Sequence, residues 1–214
     1  MITNPSEERG ALRADARRNR DNILKTAARH FAAYGVNTSL DEISRNAGVG
    51  PGTLYRHFPT REHLLCEVLH ERQEVLLSRR DEALAMPCAQ NALRAWMVAL
   101  KDYLSAFNGL PQPFVDAFKA QASPLAVTCQ ALVAITGVFL SRAQAEGAAK
   151  QSVSAPALFL SALGSAFVHD KAGEYGTTPE LIDEILALGY LTRGTAKDMA
   201  VPPRFNQKTG APHE

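Results

Sequence analysis

Residues 48–63 read GVGPGTLYRHFPTREH, and they decide how the N-terminal part of the chain folds. Three glycines and a proline stand directly before a run that mixes threonine, tyrosine, arginine and histidine with large apolar residues. Gly50 can act as a helix N-cap, and Pro51 suits the first helical position because its missing N–H would have no partner there. The stretch therefore predicts a tight turn followed by a short helix, which Pro59 ends.

The segments before this turn also have helical spacing. A first helix is predicted over residues 16–34, with Gly35 as its left-handed C-terminal stop. A short second helix follows, capped by Thr38 or Ser39 and ended by Gly48. Two short helices joined by a glycine turn and supported by a longer first helix predict a helix-turn-helix.

The remainder of the chain continues the helical pattern, without the sustained alternation that is typical of strands. We therefore predict an all-α protein of about nine helices. A fourth helix, capped by Thr60, should reach to about residue 85 and join the N-terminal unit to the rest. The other predicted helices are 89–107, about 113–122, 125–145, one opened by Ser154 and Pro156, and one opened by Thr178 and Pro179 that ends at Gly194.

This pattern divides the chain into a head at residues 10–65, which contains the helix-turn-helix, and a helical body at residues 66–195. Residues 196–214 are predicted to form a mobile tail. The three cysteines lie far apart without CxxC spacing, so we expect neither a disulfide nor a metal site, and no cofactor. The polar N-terminus lacks the apolar core of a secretory signal, and the apolar runs are too short to span a membrane, so a cytoplasmic protein is expected.

Charge is distributed unevenly along the sequence. Residues 9–61 carry ten basic and four acidic side chains, a local charge of +6, while the whole chain carries +1 and the other residues therefore −5. A basic head on an acidic body is typical of a module that binds phosphates, although a solvated helix face gives the same pattern. Four arginines near the N-terminus fit either a DNA-contacting arm or a solvated helix start: Arg13, Arg17, Arg18 and Arg20.

The predicted third helix, which begins at Pro51, has a surface suited to DNA. Small residues at its start let the backbone approach the major groove, and its free N–H groups favour phosphate. Hydroxyl, imidazole and guanidinium groups follow, and these can donate hydrogen bonds to phosphate oxygens. The apolar side chains of Leu54 and Phe58 lie four residues apart and should face inward.

The stretch ILKTAARHFAAYGVNTSLDEISRNAGVGPGTLYRHFPTREHLL at residues 23–65 resembles the TetR family of bacterial repressors. The shared pattern is a helix ending Phe-x-x-x-Gly, then Ala-Gly-Val-x-x-Gly-Thr-Leu-Tyr-x-His-Phe, then a basic residue and leucine. Gly50 replaces the serine or threonine common in the family, and Ser44 replaces the usual alanine. The resemblance implies phosphate contacts at Thr38, Thr53, Tyr55, His57 and Arg61, and a base-facing region at Gly50, Pro51, Gly52 and Arg56.

The resemblance further implies a dimeric repressor that a small organic effector releases from a palindromic double-stranded DNA operator. Aromatic and apolar residues of the body are candidates for an apolar effector pocket, although such stripes are also typical of a plain core: Trp96, Met97, Phe107, Phe118 and Phe139. The wide apolar stripes of the last two helices predict a homodimer interface: Phe159, Leu163, Phe167, Ile182, Ile185 and Leu188.

No enzyme chemistry is indicated by the sequence. It contains no nucleophile signature, HExxH, GxGxxG or P-loop, so no catalytic residue is assigned. The alternative that stays open is a helical small-molecule-binding protein or enzyme with a vestigial DNA-binding head. Salt-dependent binding to duplex DNA would separate the two hypotheses.

Overall fold

The computed structural model describes residues 5–119, 123–169 and 171–192, with side chains from residue 13 onward except at residue 175. The predicted tail at 196–214 lies outside these residues. Within them the chain is helical, which confirms the all-α fold class. In chain order the helices are α1 (Pro5–Tyr34), α2 (Leu40–Asn46), α3 (Pro51–His57), α4 (Arg61–Leu84), α5 (Ala89–Leu104), α6 (Pro111–Lys119), α7 (Pro124–Ala145), α8 (Ala155–His169) and α9 (Pro179–Tyr190), with a 3₁₀ turn at Ala172–Tyr175.

The helix ends in the N-terminal part follow the residues that predicted them. Gly35 ends α1 with a φ of 79°, and Gly48 follows α2 with a φ of 71°. Both values lie in the left-handed region, which glycine adopts without steric cost. Of the two candidate caps of α2, the Ser39 hydroxyl accepts from the Glu42 N–H at 3.4 Å, and Thr60 caps α4.

Several helix boundaries differ from prediction. The sixth helix begins at Pro111 rather than at about residue 113. The first helix begins at Pro5 rather than at residue 16. The fifth ends at Leu104 rather than 107, because the chain turns into a loop in which the Leu110 N–H donates to the Phe107 carbonyl at 3.0 Å. The last ends at Tyr190 rather than Gly194, because its C-terminal residue pairs with another segment: the Lys150 N–H donates to the Tyr190 carbonyl at 3.0 Å.

Helices α1, α2 and α3 pack against one another and form the head. Their contact is made by side chains that are almost fully buried, among them Phe31, Ile43 and Leu54. The remaining helices, α4–α9, form the body, in which α5 contacts α4, α7 and α8. The predicted boundary near residue 65 falls inside α4, so the two parts share this helix and one continuous apolar core. The exact division into domains stays a prediction.

The α5 helix carries the most deeply buried groups of the body. Trp96 is fully buried, stacks on Phe139 with ring centroids 5.3 Å apart, and donates its indole N–H to the Thr136 hydroxyl at 2.9 Å. Lys101 is also buried, and its ammonium group lies 2.6 Å from a carboxylate oxygen of Asp183 in α9. A buried charge needs such a partner, so this ion pair fixes α9 against α5.

Helix α7 is, among the described residues, long and apolar enough to cross a membrane by length and composition alone. It contacts α4, α5, α6 and α8, and its inward side chains, such as Leu132 and Phe139, are buried in the body. A single apolar helix is weak evidence for a membrane span, because the core helix of a helical bundle has the same composition. The contacts of α7 are those of such a core helix.

Candidate nucleic-acid interface

The helix-turn-helix consists of α2, the turn at residues 47–50 and α3. The turn is closed by backbone hydrogen bonds, among them the bond from the Val49 N–H to the Ser44 carbonyl at 3.0 Å. Ser44, which replaces the usual alanine, is buried, and its hydroxyl donates to the Asp41 carbonyl at 2.9 Å. Within α3 only Leu54 is buried, so this one side chain and the following Phe58 hold the helix on the head.

The remaining residues of α3 are exposed or half-buried. All four predicted base-facing residues are exposed, and Tyr55 is 45% exposed, while Thr53 and His57 are half-buried. A Cβ atom added at Gly50 or Gly52 would meet nothing within 4 Å, and neither glycine has a positive φ. The head therefore has no packing need for glycine at these positions, and their lack of side chains leaves room for another molecule.

Two of the predicted phosphate-contacting residues, Arg61 and Thr38, take part in contacts within the protein. One guanidinium nitrogen of Arg61 donates to the carbonyl oxygens of Val36 at 2.7 Å and Thr38 at 2.6 Å. Arg61 thus fastens the turn between α1 and α2 to the start of α4. Thr38 itself is buried. Contacts with phosphate at these and the other predicted positions stay predictions.

The N-terminal arginine cluster divides into two kinds of residue. Arg20 pairs with Glu67 of α4, and its guanidinium carbon lies 5.5 Å from the ring centroid of Phe58, so it braces the end of α3. Arg13 and Arg17 are exposed, and the exposed Arg18 pairs with its helix neighbour Asp15 at 3.5 Å. Sequence reasoning missed the role of Arg20 because its partner Glu67 is 47 residues away.

The body contains an open cavity of about 300 Å³ between α6, α7 and the start of α8. Of the residues proposed for the effector pocket only Phe118 lines it; Trp96, Met97, Phe107 and Phe139 lie in the closed core. The helical spacing of apolar residues is the same for residues that line a cavity and for residues of the packed core. The sequence could therefore not tell which of the five residues line the cavity. The lining is Ala117, Phe118, Ala126, Cys129, Gln130, Val133, Ala134 and Pro156.

Cys129 is the one group of this lining whose chemistry depends on protonation. Burial raises the pKa of its thiol to about 12, and the sulfur lies 3.7 Å from the Phe114 carbonyl oxygen. A protonated thiol is a poor nucleophile and packs like a small apolar group. Among the described residues there is no cluster of three histidine, cysteine or acidic side chains that could hold a metal ion.

Helices α8 and α9 expose an apolar surface, which we call the α8–α9 face. Of the predicted interface residues, Phe159 and Leu163 are buried in the chain's own core, because they lie on the inward side of α8. Phe167, Ile185 and Leu188 are exposed by 44%, 60% and 63%, and Ile182 is half-buried. Sequence reasoning missed three further members of the face: Leu160, Val168 and Leu181.

Comparisons with known proteins agree with this geometry. The sequence profile of the family described as "Bacterial regulatory proteins, tetR family" matches residues 23–68. A curated HTH-type transcriptional regulator of Staphylococcus aureus is 35% identical over 68 residues, which are 31% of this chain and 37% of that protein. The chain thus matches little more than a third of the length of this curated relative.

Two solved structures extend the likeness to the body. A crystal structure of a TetR transcriptional regulator from Streptomyces coelicolor is 28% identical, with a TM-score of 0.53, and the match covers 82% of this chain and 99% of that one. AibR, solved with isovaleryl coenzyme A and operator DNA, is 20% identical with a TM-score of 0.54, covering 79% of this chain and 96% of its own. This second likeness shows the fold alone.

A three-helix head that exposes the last helix of a helix-turn-helix, carried on a helical body, defines a helix-turn-helix regulator. The profile match and the structural likeness along most of the chain point to one family among the helix-turn-helix regulators. The chain belongs to the TetR family of bacterial regulatory proteins. This is a family of regulators and not of enzymes.

Proposed function

We propose that the protein is a transcriptional repressor that binds a palindromic DNA operator as a homodimer and is released by a small organic effector in the bacterial cytoplasm. The observation that carries this proposal is the surface of α3. Only Leu54 of this helix packs inward, and its exposed residues combine small size at the start with hydroxyl and basic groups further on. Such a helix can enter a major groove while its flanks donate to phosphates.

The proposed phosphate contacts are tested by removing single polar groups from α3. Tyr55→Phe or His57→Ala should weaken binding to a preferred duplex and to random duplexes alike, by roughly tenfold, because phosphate contacts carry no sequence information. Fluorescence anisotropy with labelled duplexes at several salt concentrations measures the effect.

Tyr34→Phe is the matched control for Tyr55→Phe. Tyr34 lies in the same head and is more exposed than Tyr55, at 71%, but it stands at the end of α1 and is not one of the proposed DNA contacts. Loss of the Tyr34 hydroxyl should leave the affinity for DNA unchanged. If Tyr55→Phe, His57→Ala and the unaltered protein bound DNA with equal affinity, neither residue would be a DNA contact.

The cavity between α6 and α7 supports the effector part of the proposal. The side chains that line it are apolar except for the Gln130 amide and the Cys129 thiol, and its volume suits a small molecule. Ligand sites are commonly apolar with a few polar groups that fix orientation. We therefore assign it an uncharged or weakly charged organic effector whose polar atom hydrogen-bonds to Gln130.

Filling the cavity mouth tests this assignment. Ala134→Phe should lower the affinity of an apolar effector by tenfold or more, because the added ring occupies the space of the ligand. Trp96 fluorescence reports binding, since Trp96 stacks on Phe139 of α7, the helix that forms one wall. A compound screen on the unaltered protein supplies the ligand.

Ala131→Phe provides the comparison. Ala131 is exposed on the same helix but does not line the cavity, so this variant should bind the compound normally. A compound that releases the duplex from the unaltered protein and binds both variants equally well would place the effector elsewhere.

A further inference from the structure

The loop at residues 105–110, between α5 and α6, reaches from the body to the head; we call it the bridge loop. The Val36 N–H, just after α1, donates to the Asn108 carbonyl at 2.9 Å. The loop has a fixed shape, because the Leu110 N–H donates to the Phe107 carbonyl and Leu110 is fully buried. The head is therefore attached to the body at a second place, besides its covalent link through α4.

Phe107 is the apolar part of this attachment. It is almost buried, and its ring meets that of Phe31 in α1 edge-on, with centroids 5.8 Å apart. The guanidinium carbon of Arg72 in α4 lies 4.9 Å from the centroid of the same ring. One body side chain thus contacts the longest helix of the head and the helix that joins the head to the body.

Two glycines allow the backbones to approach this closely. Gly35 has a φ of 79°, and a Cβ atom there would lie 2.8 Å from the Asn108 carbonyl oxygen. Gly109 has a φ of 78°, and its Cβ would lie 3.4 Å from a methyl carbon of Val36. Because Gly35 faces a backbone atom, no side-chain movement can relieve the overlap. The fit between Gly35 and Asn108 is specific to residues without a side chain.

We infer that the bridge loop sets the orientation of the head, and with it that of α3, relative to the body. Without the bridge loop the head would be held through α4 alone, by the helix itself and by contacts such as that of Arg20 with Glu67. The bridge loop adds a contact from a different part of the body and so restricts how far the head can tilt on α4. This inference rests on the proposed DNA-binding function. The bridge loop belongs neither to the helix-turn-helix nor to the proposed DNA contacts, so its residues are positioning residues that act through the head.

The bridge loop also connects the head to the cavity. Helix α6 begins at Pro111, directly after the loop, and its Phe118 lines the cavity. The two residues are seven positions apart on one helix, a distance of about 10 Å along its axis. A short helix moves as a rigid rod, so an effector that displaces the Phe118 end shifts the bridge loop as well. The displacement would thereby reach the contact at Val36 through α6 and the bridge loop, and not through α4.

The test compares two glycine substitutions that impose the same backbone strain. Gly35→Ala and Gly147→Ala each place alanine at a left-handed position after a helix, at φ values of 79° and 70°. A Cβ at Gly147 meets nothing within 4 Å, whereas at Gly35 it overlaps Asn108. Differences between these variants therefore report the bridge contact and not the strain.

Hydrogen exchange of the Val36 amide is the first readout, measured on the full-length protein by NMR. In Gly35→Ala this amide should exchange at least tenfold faster than in Gly147→Ala, while the amides of Ile43 and Leu54 keep the same rates in both. Phe107→Ala should have the same effect, and Phe107→Leu should restore much of the protection because it keeps most of the apolar contact. Equal Val36 rates in both glycine variants would overturn the inference.

Binding to DNA is the second readout, using the duplex that the unaltered protein selects from a randomised pool and a random-sequence duplex. Gly35→Ala and Phe107→Ala should lose tenfold or more affinity for the selected duplex but less than about twofold for the random one, because each head keeps its phosphate-contacting surface. Equal losses on both duplexes would contradict a positioning role. If the unaltered protein selects no duplex, the proposed function fails, and the Val36 exchange rates alone then decide whether the bridge contact exists.

Discussion

Replacing Ile185 and Leu188 together with glutamate should convert the protein to a monomer and lower its affinity for its selected duplex more than about a hundredfold. Both side chains are largely exposed on α9, so the isolated chain can accept the charges without unfolding. In a dimer that buries the α8–α9 face, four carboxylates would be desolvated without partners, which costs several kcal/mol. Two linked heads gain roughly 10² to 10⁴ in avidity over one, and a monomer loses this gain.

Light scattering at micromolar concentration measures the assembly state, and anisotropy with the selected duplex measures binding. The control carries the same added charge elsewhere: Val75→Glu with Leu84→Glu, both at exposed apolar positions of α4. This control should remain a dimer and bind normally. A dimeric mass for the Ile185→Glu, Leu188→Glu variant would show that another surface forms the interface.

Trp96→Ala should lower the free energy of unfolding by about 3 to 5 kcal/mol, the range for truncating a large buried aromatic side chain. Trp96 is fully buried, and its removal takes away the stacking on Phe139 and the hydrogen bond to Thr136. The Thr136 hydroxyl still donates to the Leu132 carbonyl at 2.8 Å, so the loss is mainly one of packing. Urea denaturation followed by circular dichroism gives the value.

Phe118→Ala distinguishes a wall residue from a core residue in the same experiment. Phe118 lines the open cavity and is 39% exposed. Its truncation should therefore lower the free energy of unfolding clearly less than the truncation of Trp96 does. It should instead change the affinity for an effector. Equal losses in the free energy of unfolding for the two substitutions would mean that Trp96 is not packed in the core.

The head could be predicted from sequence because its signals are local. A cap, a left-handed glycine and apolar residues four positions apart define each short helix within a few residues, and Gly35, Gly48 and Leu54 occupy the expected positions. The same locality explains why the surface of α3 could be read from the residues that follow Pro51.

The contacts that organise the whole molecule are not local, and no sequence spacing reveals them. Lys101 pairs with Asp183 across 82 residues, and Phe107 meets Phe31 across the boundary between body and head. Trp96 and Phe118 both belong to apolar helical stripes, and only packing decides that the first is core and the second is a cavity wall. The members of the α8–α9 face likewise depend on which side of α8 the body covers.

Selection of duplexes from a randomised pool, followed by binding measurements on the recovered sequence, shows whether the protein is a sequence-specific DNA-binding regulator. We expect an inverted repeat whose half-sites face two copies of α3 on successive major grooves, roughly 34 to 36 Å apart. Affinity for this duplex should exceed that for random DNA by about 10³ or more and fall steeply with salt. Recovery of no common sequence, with binding that is weak and insensitive to salt, would contradict a DNA-binding regulator.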